Sequence, residues 1–267
     1  ISNNFNNHIL SLSSNEFRNV SIVNEHLAKE FSFKNLPKEI KHKIKLDNTN
    51  KFSNSKFGNF NNKKEDNNNE LNNTLYDFEF NEFRERDWSN VLLKIENSPC
   101  PILLSYENSS VSEKKVQTKT EGNCTAICVS MCGNFGFSAH ENGTLEKFNM
   151  QSGLNRWNIP EAHSKPIIAI KSDGINSLLV SAGLDQKLKF WEILRSTLVK
   201  SLDLPSAPSS MEMNRDNELI AVACTNYNIY LYDKSNFKQV RKFENFFKGK
   251  INDLAFGNNG KWVSAVS

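Results

Sequence analysis

The chain has 267 residues, which is long enough to bury a core in one large or two small domains. Its 33 basic and 30 acidic residues give a net charge of +3, which excludes the extreme balance of a histone-like protein. No run of 18 apolar residues occurs, so we expect no membrane-spanning helix. The start lacks both an initiating Met and the features of a signal peptide, so we expect a part of a longer chain.

The first predicted elements lie in residues 1–45. Short apolar runs predict three β-strands, near Ile9–Ser13, Asn19–Val23 and His26–Phe33. A basic connector follows, and its lysines are a candidate phosphate contact, with a solvated connector as the alternative. These lysines are Lys34, Lys38, Lys41, Lys43 and Lys45.

Residues 46–74 form an Asn-rich insertion. Between Asn48 and Asn73, 11 of the 26 residues are Asn. The segment has too few apolar side chains to offset the entropy cost of ordering it, and we therefore predict that it is disordered. A prion-like interaction tract is the alternative.

Residues 75–267 alternate between short apolar runs and turn signals, which predicts strands of four to six residues. Two landmarks repeat in each predicted four-stranded unit. One is an aromatic residue at the end of the third strand, and the other is a turn residue after the first strand. The aromatic landmarks are Tyr106, Phe148, Trp191 and Tyr232, at intervals of 42, 43 and 41 residues. The turn landmarks are Gly133, Gly174, Asp216 and Asn259, at intervals of 41, 42 and 43 residues.

A period near 42 with four strands per unit is typical of a β-propeller blade. We therefore predict an all-β fold, a partial propeller of about four blades plus two remnants. Residues 1–45 supply the end of a preceding blade and the connector. The predicted blades cover 75–120, 121–160, 161–204, 205–246 and, incompletely, 247–267.

One unit resembles the WD repeat throughout. Ala162-His163 stands at its Gly-His position, Ser181 to Asp185 fill the second strand and turn, and Leu188 to Glu192 take the place of the Trp-Asp ending. The resemblance implies a buried hydrogen-bonded chain formed by His163, Ser181, Asp185 and Trp191. Such residue types suit it, since a hydroxyl both donates and accepts and a buried indole N–H needs an acceptor.

The equivalent positions in neighbouring units are filled differently. They are Thr120, Ser138 and Asn142 in one unit, and Leu204, Val222 and Asn226 in another. A hydrolase that uses Ser181, His163 and Asp185 is the alternative interpretation, but no oxyanion-hole element accompanies these residues. We predict a structural network with no catalytic residue.

The cysteines and two tryptophans leave further alternatives. Cys124, Cys128 and Cys132 would share a helix face and suit a metal, but the surrounding residues predict a strand, so we expect reduced, buried thiols and no metal. Trp88 and Trp157 are candidate partner anchors, with core packing as the alternative.

Longer runs resemble one WD-repeat family, that of the U-three-associated processome protein twenty-one, known in animals as WD-repeat protein thirty-six. These runs include residues 86–91, 132–135, 149–156, 162–166, 187–191 and 249–256, and the Asn149-Met150-Gln151-Ser152-Gly153 run is the most specific. The resemblance covers about residues 84–267. Asn-rich inserts like that at 46–74 resemble those of parasites with AT-rich genomes.

The resemblance implies a scaffold of the small-subunit processome in the nucleolus of the nucleus. Its implied partners are other processome proteins, pre-ribosomal RNA and the U-three small nucleolar RNA, reached directly or through neighbours. We expect no cofactor, no membrane and no small-molecule substrate. A WD-repeat adaptor of another pathway, such as a ubiquitin-ligase receptor or signalling scaffold, is the alternative. An enzyme is disfavoured because Asp173, Asp185 and Asp216 stand at turns, where Asp is expected anyway.

Overall fold

The computed structural model describes residues 75–267, except 85, 106–109, 215–217 and 258–259, together with the backbone of four strands between residues 2 and 32. All regular elements in this part are β-strands. Within the same residues, no helix is long and apolar enough to cross a membrane. The Asn-rich segment 46–74 and the five connector lysines lie outside the described residues.

The described strands form six antiparallel sheets, in each of which strands adjacent in sequence pair. Blade one contains β1 (Ser2–Phe5), β2 (His8–Leu12), β3 (Glu16–Ser21) and β4 (Lys29–Ser32). Blade two contains β5 (Leu75–Phe80), β6 (Val91–Ile95), β7 (Ile102–Ser105) and β8 (Ser110–Val111). Blade three contains β9 (Cys124–Val129), β10 (Phe135–His140), β11 (Leu145–Asn149) and β12 (Asn155–Ile159).

The remaining strands continue the same order. Blade four contains β13 (Ile167–Ser172), β14 (Leu178–Gly183), β15 (Lys187–Glu192) and β16 (Leu198–Asp203). Blade five contains β17 (Pro208–Met213), β18 (Leu219–Cys224), β19 (Ile229–Asp233) and β20 (Lys238–Phe243). Blade six is described as two strands, β21 (Asp253–Phe256) and β22 (Val263–Val266).

Blades two to six pack face to face around an axis, and their first strands lie next to one another in the order β5, β9, β13, β17, β21. The core lies between blades. Leu188 and Phe190 of blade four, for example, pack with Met211 and Tyr230 of blade five. Apolar surface from both neighbours covers each sheet, which is the packing of a propeller. The prediction of an all-β, partial WD-type propeller is confirmed.

Burial within a blade follows the position of the strand. The second strands β14 and β18 are buried over five consecutive residues, because a neighbouring blade covers each face. Their sequences are correspondingly apolar on both faces rather than alternating, apart from the buried Ser181 of β14. The outer strands β16 and β20 are largely exposed and carry polar or charged residues. The aromatic landmarks Phe148, Trp191 and Tyr232 are each the penultimate residue of a third strand and are buried.

Blade one differs from its prediction of three strands, because the structure has four. The additional strand, β1, pairs antiparallel with β2, and Phe5 lies opposite His8. Its sequence, Ser2-Asn3-Asn4-Phe5, was not recognised because Asn is depleted in strands, so pairing within the sheet overrides the local preference.

Candidate functional site

The network predicted in one blade is assembled from three parts of the chain. His163 lies in the connection from blade three to blade four, Ser181 lies in β14, Asp185 in the turn after it, and Trp191 in β15. The Trp191 indole N–H donates to Ser181 Oγ at 2.8 Å. His163 Nε2 lies 2.7 Å from Ser181 Oγ, and His163 Nδ1 lies 2.8 Å from Asp185 Oδ1. The structure therefore brings all four side chains together in one chain of hydrogen bonds.

The direction of these bonds follows from the groups themselves. An indole N–H is only a donor and a carboxylate is only an acceptor, so Ser181 Oγ accepts from Trp191 and donates its O–H to His163 Nε2. His163 Nδ1 then carries the ring proton and donates to the Asp185 carboxylate. Asp185 also accepts from the backbone N–H of Ser164 at 3.2 Å and of Lys187 at 3.3 Å.

Electrostatics agree with this assignment. Burial lowers the pKa of His163, although the bond to Asp185 and its charge oppose the shift. Burial acts to raise the pKa of Asp185, but the bonds from His163 and Ser164 outweigh it and leave that pKa below its usual range. At neutral pH the histidine is therefore neutral and the aspartate is ionised. These protonation states allow His163 Nε2 to accept from Ser181 and Asp185 to accept from His163 Nδ1.

The Ser181 hydroxyl is not accessible to a substrate. Ser181 and His163 are completely buried, and the Ser181 hydroxyl is already engaged by both the indole and the imidazole. A hydroxyl that substrate cannot reach cannot attack it. This arrangement supports a structural role for the four residues over the hydrolase alternative.

Two glycines fit closely around the network. At Gly183, an added Cβ would lie 2.4 Å from His163 Nδ1 and 2.6 Å from Asp185 Oδ1. At Gly143, in the blade-three turn, it would lie 1.9 Å from the His163 carbonyl oxygen, and φ there is +80°. The Gly143 carbonyl also accepts from the His163 N–H at 3.0 Å. Blade three therefore holds the backbone of the histidine that serves blade four.

Blade three has a different network at the equivalent place. Ser138 Oγ lies 3.2 Å from Nε2 of His140, a buried residue of the same strand, and His140 Nδ1 lies 2.9 Å from the Gly122 carbonyl oxygen. Thr120 instead donates to Glu146 at 2.5 Å. His140 was missed by sequence reasoning. The available signal was its spacing of two from Ser138, which places both on one face of a strand.

Blade five has lost the network. Leu204 and Val222 are buried apolar residues, and Asn226 donates to Tyr230 Oη at 2.8 Å. Apolar replacement of several partners together avoids leaving a buried polar group unpaired, which explains how the blade persists without the network.

The other candidate residues are placed as follows. Cys124 and Cys128 lie in β9, but a bulge between them turns Cys124 toward blade two and Cys128 toward blade four. No group of His, Cys, Asp and Glu in the described part of the chain could hold a metal. Trp88 and Trp157 are half-buried and donate to the carbonyls of Gly133 and Ile193, at 3.2 and 3.1 Å.

An ion-pair cluster that sequence reasoning did not identify spans the channel between the first strands. Lys171 Nζ lies 2.6 Å from Glu79 Oε1 and 3.0 Å from Glu212 Oε2. Burial opposes the charged form of Lys171, but the two carboxylates outweigh it and raise its pKa well above the usual value. Each of these residues is the next-to-last residue in the first strand of its blade, and Cys128 holds the same position in blade three. That shared register was the available signal.

A second lysine joins blades four and five. Lys234 Nζ lies 3.2 Å from Asp173 Oδ2 and 3.0 Å from Glu218 Oε1. Burial opposes its charge, yet the bonds and charges of both carboxylates raise the pKa of Lys234. Both clusters place one ammonium between two carboxylates and connect different blades.

Comparison with known proteins agrees with this architecture. The sequence model of the family described as the WDR36/Utp21 second beta-propeller domain matches residues 3–267. The chain is 30% identical over 186 residues to the U3 small nucleolar RNA-associated protein 21 homolog of Schizosaccharomyces pombe, a match that covers 69% of this chain and 20% of that protein. It is 30% identical over 196 residues to WD repeat-containing protein 36 of Homo sapiens, covering 71% and 22%.

A third relative is U3 small nucleolar RNA-associated protein 21 of Saccharomyces cerevisiae, 28% identical over 181 residues that cover 68% of this chain and 19% of that protein. The chain thus spans about a fifth of the length of these relatives. With a family match along nearly its whole length and a propeller fold, the chain belongs to the WDR36/Utp21 second beta-propeller domain family.

Proposed function

We propose that this chain is a non-catalytic scaffold region of a protein of the small-subunit processome, where it supports pre-ribosomal RNA processing and small-subunit biogenesis with the U3 small nucleolar ribonucleoprotein. The observation that carries the proposal is the family match over residues 3–267, together with relatives named for association with the U3 small nucleolar RNA. The corresponding location is the nucleolus.

The architecture supports a scaffold role. Cores lie between successive blades, and the buried polar groups of blade four serve one another rather than a ligand. A propeller built in this way presents a stiff set of turns at each end and exposed outer strands at its rim, where partners can dock.

The division of the chain into domains and one candidate RNA contact are also parts of the proposal. We propose that 1–45 form the end of a preceding blade and a connector, that 46–74 form the Asn-rich insertion, and that 75–267 form the remaining blades. Lys34, Lys38, Lys41, Lys43 and Lys45 are proposed phosphate contacts, because clustered lysines release counterions when they bind RNA.

Affinity purification of the tagged full-length protein tests the function. We expect processome proteins and the U3 small nucleolar RNA to be recovered, measured by mass spectrometry and by sequencing of bound RNA. An unrelated tagged WD-repeat protein is the control for non-specific recovery. Enrichment of ubiquitin-ligase or signalling components without these molecules would contradict the proposal and favour the adaptor alternative.

A further inference from the structure

One end of blades two to four exposes large apolar side chains. We call this end the lower face and define it by the turns after the first and third strands, at residues 81–90, 130–134, 150–154, 173–177 and 193–197. Its exposed apolar residues are Phe83 (62% exposed), Leu154 (42%), Ile175 (71%) and Leu194 (77%). None of the four is needed for the core, so their exposure is not explained by folding.

Hydrogen bonds hold these turns side by side. The Asn81 side chain donates to the Met131 carbonyl at 2.8 Å, which fixes the blade-two turn that carries Phe83 against blade three. The Cys132 N–H donates to Asn176 Oδ1 at 3.0 Å and so joins blade three to the turn that carries Ile175.

The third-strand turns are tied in as well. The Ile193 N–H, beside Leu194, donates to the Ser177 carbonyl at 2.9 Å, and the Trp157 indole donates to the Ile193 carbonyl at 3.1 Å. The lower face is therefore a preorganised surface, which reduces the entropy lost when a partner binds.

The opposite end of the same blades is chemically different. Its described turns expose none of the large hydrophobic side chains and instead carry exposed glutamates. These glutamates are Glu96, Glu121, Glu141 and Glu161. Within the described turns of blades two to four, exposed large apolar side chains thus lie at one end only.

Outside the two ion-pair clusters, the charged side chains described in the turns of the lower face balance one another. Arg84 pairs with Asp87 at 3.0 Å, Arg195 pairs at 3.7 Å with Glu192 at the end of β15, and Glu82 and Arg86 carry opposite charges.

The excess of negative charge at this end therefore comes from the two ion-pair clusters. The cluster of Glu79, Lys171 and Glu212 contains two carboxylates and one ammonium, which leaves a charge of −1 at the ends of the first strands. The second cluster joins Asp173 of the lower face to Lys234 and Glu218 at the same end of blade five, and it also leaves −1. Glu218 keeps 42% of its side chain exposed, so this charge is available to a partner.

We propose that the lower face docks a protein segment that presents apolar side chains flanked by Lys or Arg. The apolar residues would pack on Phe83, Ile175 and Leu194, and the basic residues would meet the excess charge of the two clusters. RNA fits poorly, since phosphates would approach uncompensated carboxylates. The inference rests on the proposed function in one respect: the partner is expected among the proteins of the processome.

Site-directed photo-crosslinking in the full-length protein tests the proposal. Benzoylphenylalanine is introduced singly at Phe83, Ile175 or Leu194, with Tyr227 and Val240, which are exposed in blade five, as matched controls. We expect the three lower-face positions to crosslink to one partner protein, at a segment with apolar residues and adjacent Lys or Arg. Crosslinks to RNA, to an acidic segment, or no more crosslinking than at the controls would overturn the proposal.

Charge substitutions give an independent measurement. Ile175→Asp combined with Leu194→Asp should reduce recovery of the crosslinked partner at least about tenfold, the scale of a docking hot spot, whereas Tyr227→Asp should not. Glu218→Lys should also reduce recovery. Unchanged unfolding temperatures show that the variants fold, and unchanged recovery would overturn the proposal. Recovery of processome proteins and U3 RNA with crosslinks only at other faces would overturn this inference while leaving the proposed function in place.

Discussion

At the scale of single residues, Ser181 is the centre of the blade-four network, because it accepts from Trp191 and donates to His163. A buried polar atom that loses its partner costs the full desolvation penalty, whereas an apolar residue in a matched apolar setting costs little. This asymmetry explains why blade four keeps the whole set and blade five, with Leu204 and Val222, keeps none of it.

Ser181→Ala should lower the free energy of unfolding by about 2 kcal/mol, because it leaves both the indole N–H and His163 Nε2 buried without this partner. Ser138→Ala in blade three is the matched control and should cost less, since Ser138 contacts one ring nitrogen at 3.2 Å. Chemical denaturation of the full-length protein measures both. Equal losses would show that the indole bond contributes nothing.

At the scale of elements, adjacent blades are joined by backbone contacts as well as by apolar packing. The turn between β10 and β11 contacts the connection that carries His163, through the close approach of Gly143. A side chain at this position would meet backbone, which cannot move aside as a flexible side chain can.

Gly143→Ala should destabilise the protein by about 2 kcal/mol or more, since it combines a positive φ with a backbone clash. Gly249→Ala is the control, because an added Cβ there meets nothing within 4 Å, and it should be neutral or slightly stabilising. Thermal unfolding of both variants checks the difference. A neutral Gly143→Ala variant would mean that the turn can withdraw from His163.

Hydrogen exchange should follow strand position within each blade. We expect the amides of β10, β14 and β18 to exchange slowest, because both faces of these strands are covered, and those of β16 and β20 to exchange fastest. Mass spectrometry of exchanged peptides measures this. Uniform protection from inner to outer strands would contradict it.

At the scale of the whole molecule, Lys171 connects blades that are not neighbours. Its ammonium bridges Glu79 of blade two and Glu212 of blade five, although 92 residues separate Lys171 from Glu79. Burial raises the pKa of Glu212, and the nearby Glu79 charge adds to the rise, while Lys171 opposes it. Without the lysine, two carboxylates would face each other in a partly buried channel.

Lys171→Met should therefore destabilise the protein by about 1–3 kcal/mol at pH 8, a value reduced for partial exposure. In the variant, the pKa of Glu212, which burial and the Glu79 charge already raise, would lie further above its unfolded value of about 4.3, because the opposing Lys171 charge is removed. The folded state then binds more protons, so the loss is full above the raised pKa and shrinks as pH falls toward 5. Denaturation at both pH values measures this, and Lys187→Met, at an exposed pair with Asp203, should show no such dependence. A loss that is equal at both pH values would contradict the cross-channel role.

How much could be predicted from the sequence depends on whether the signal was local. The 42-residue repeat and the apolar runs predicted the propeller, because every blade must bury the same faces against its neighbours. The set of His163, Ser181, Asp185 and Trp191 could also be named, because this unit resembles the WD repeat and the resemblance implies a buried network of these residues.

The remaining features were decided by tertiary structure. Pairing within the sheet makes a strand of the Asn-containing β1, and a bulge separates Cys124 from Cys128. The bridge from Lys171 to Glu79 depends on which blades face each other across the channel. A chain's own pattern determines which surfaces must be buried, whereas the contacts made across an axis by distant blades exist only once the blades are stacked.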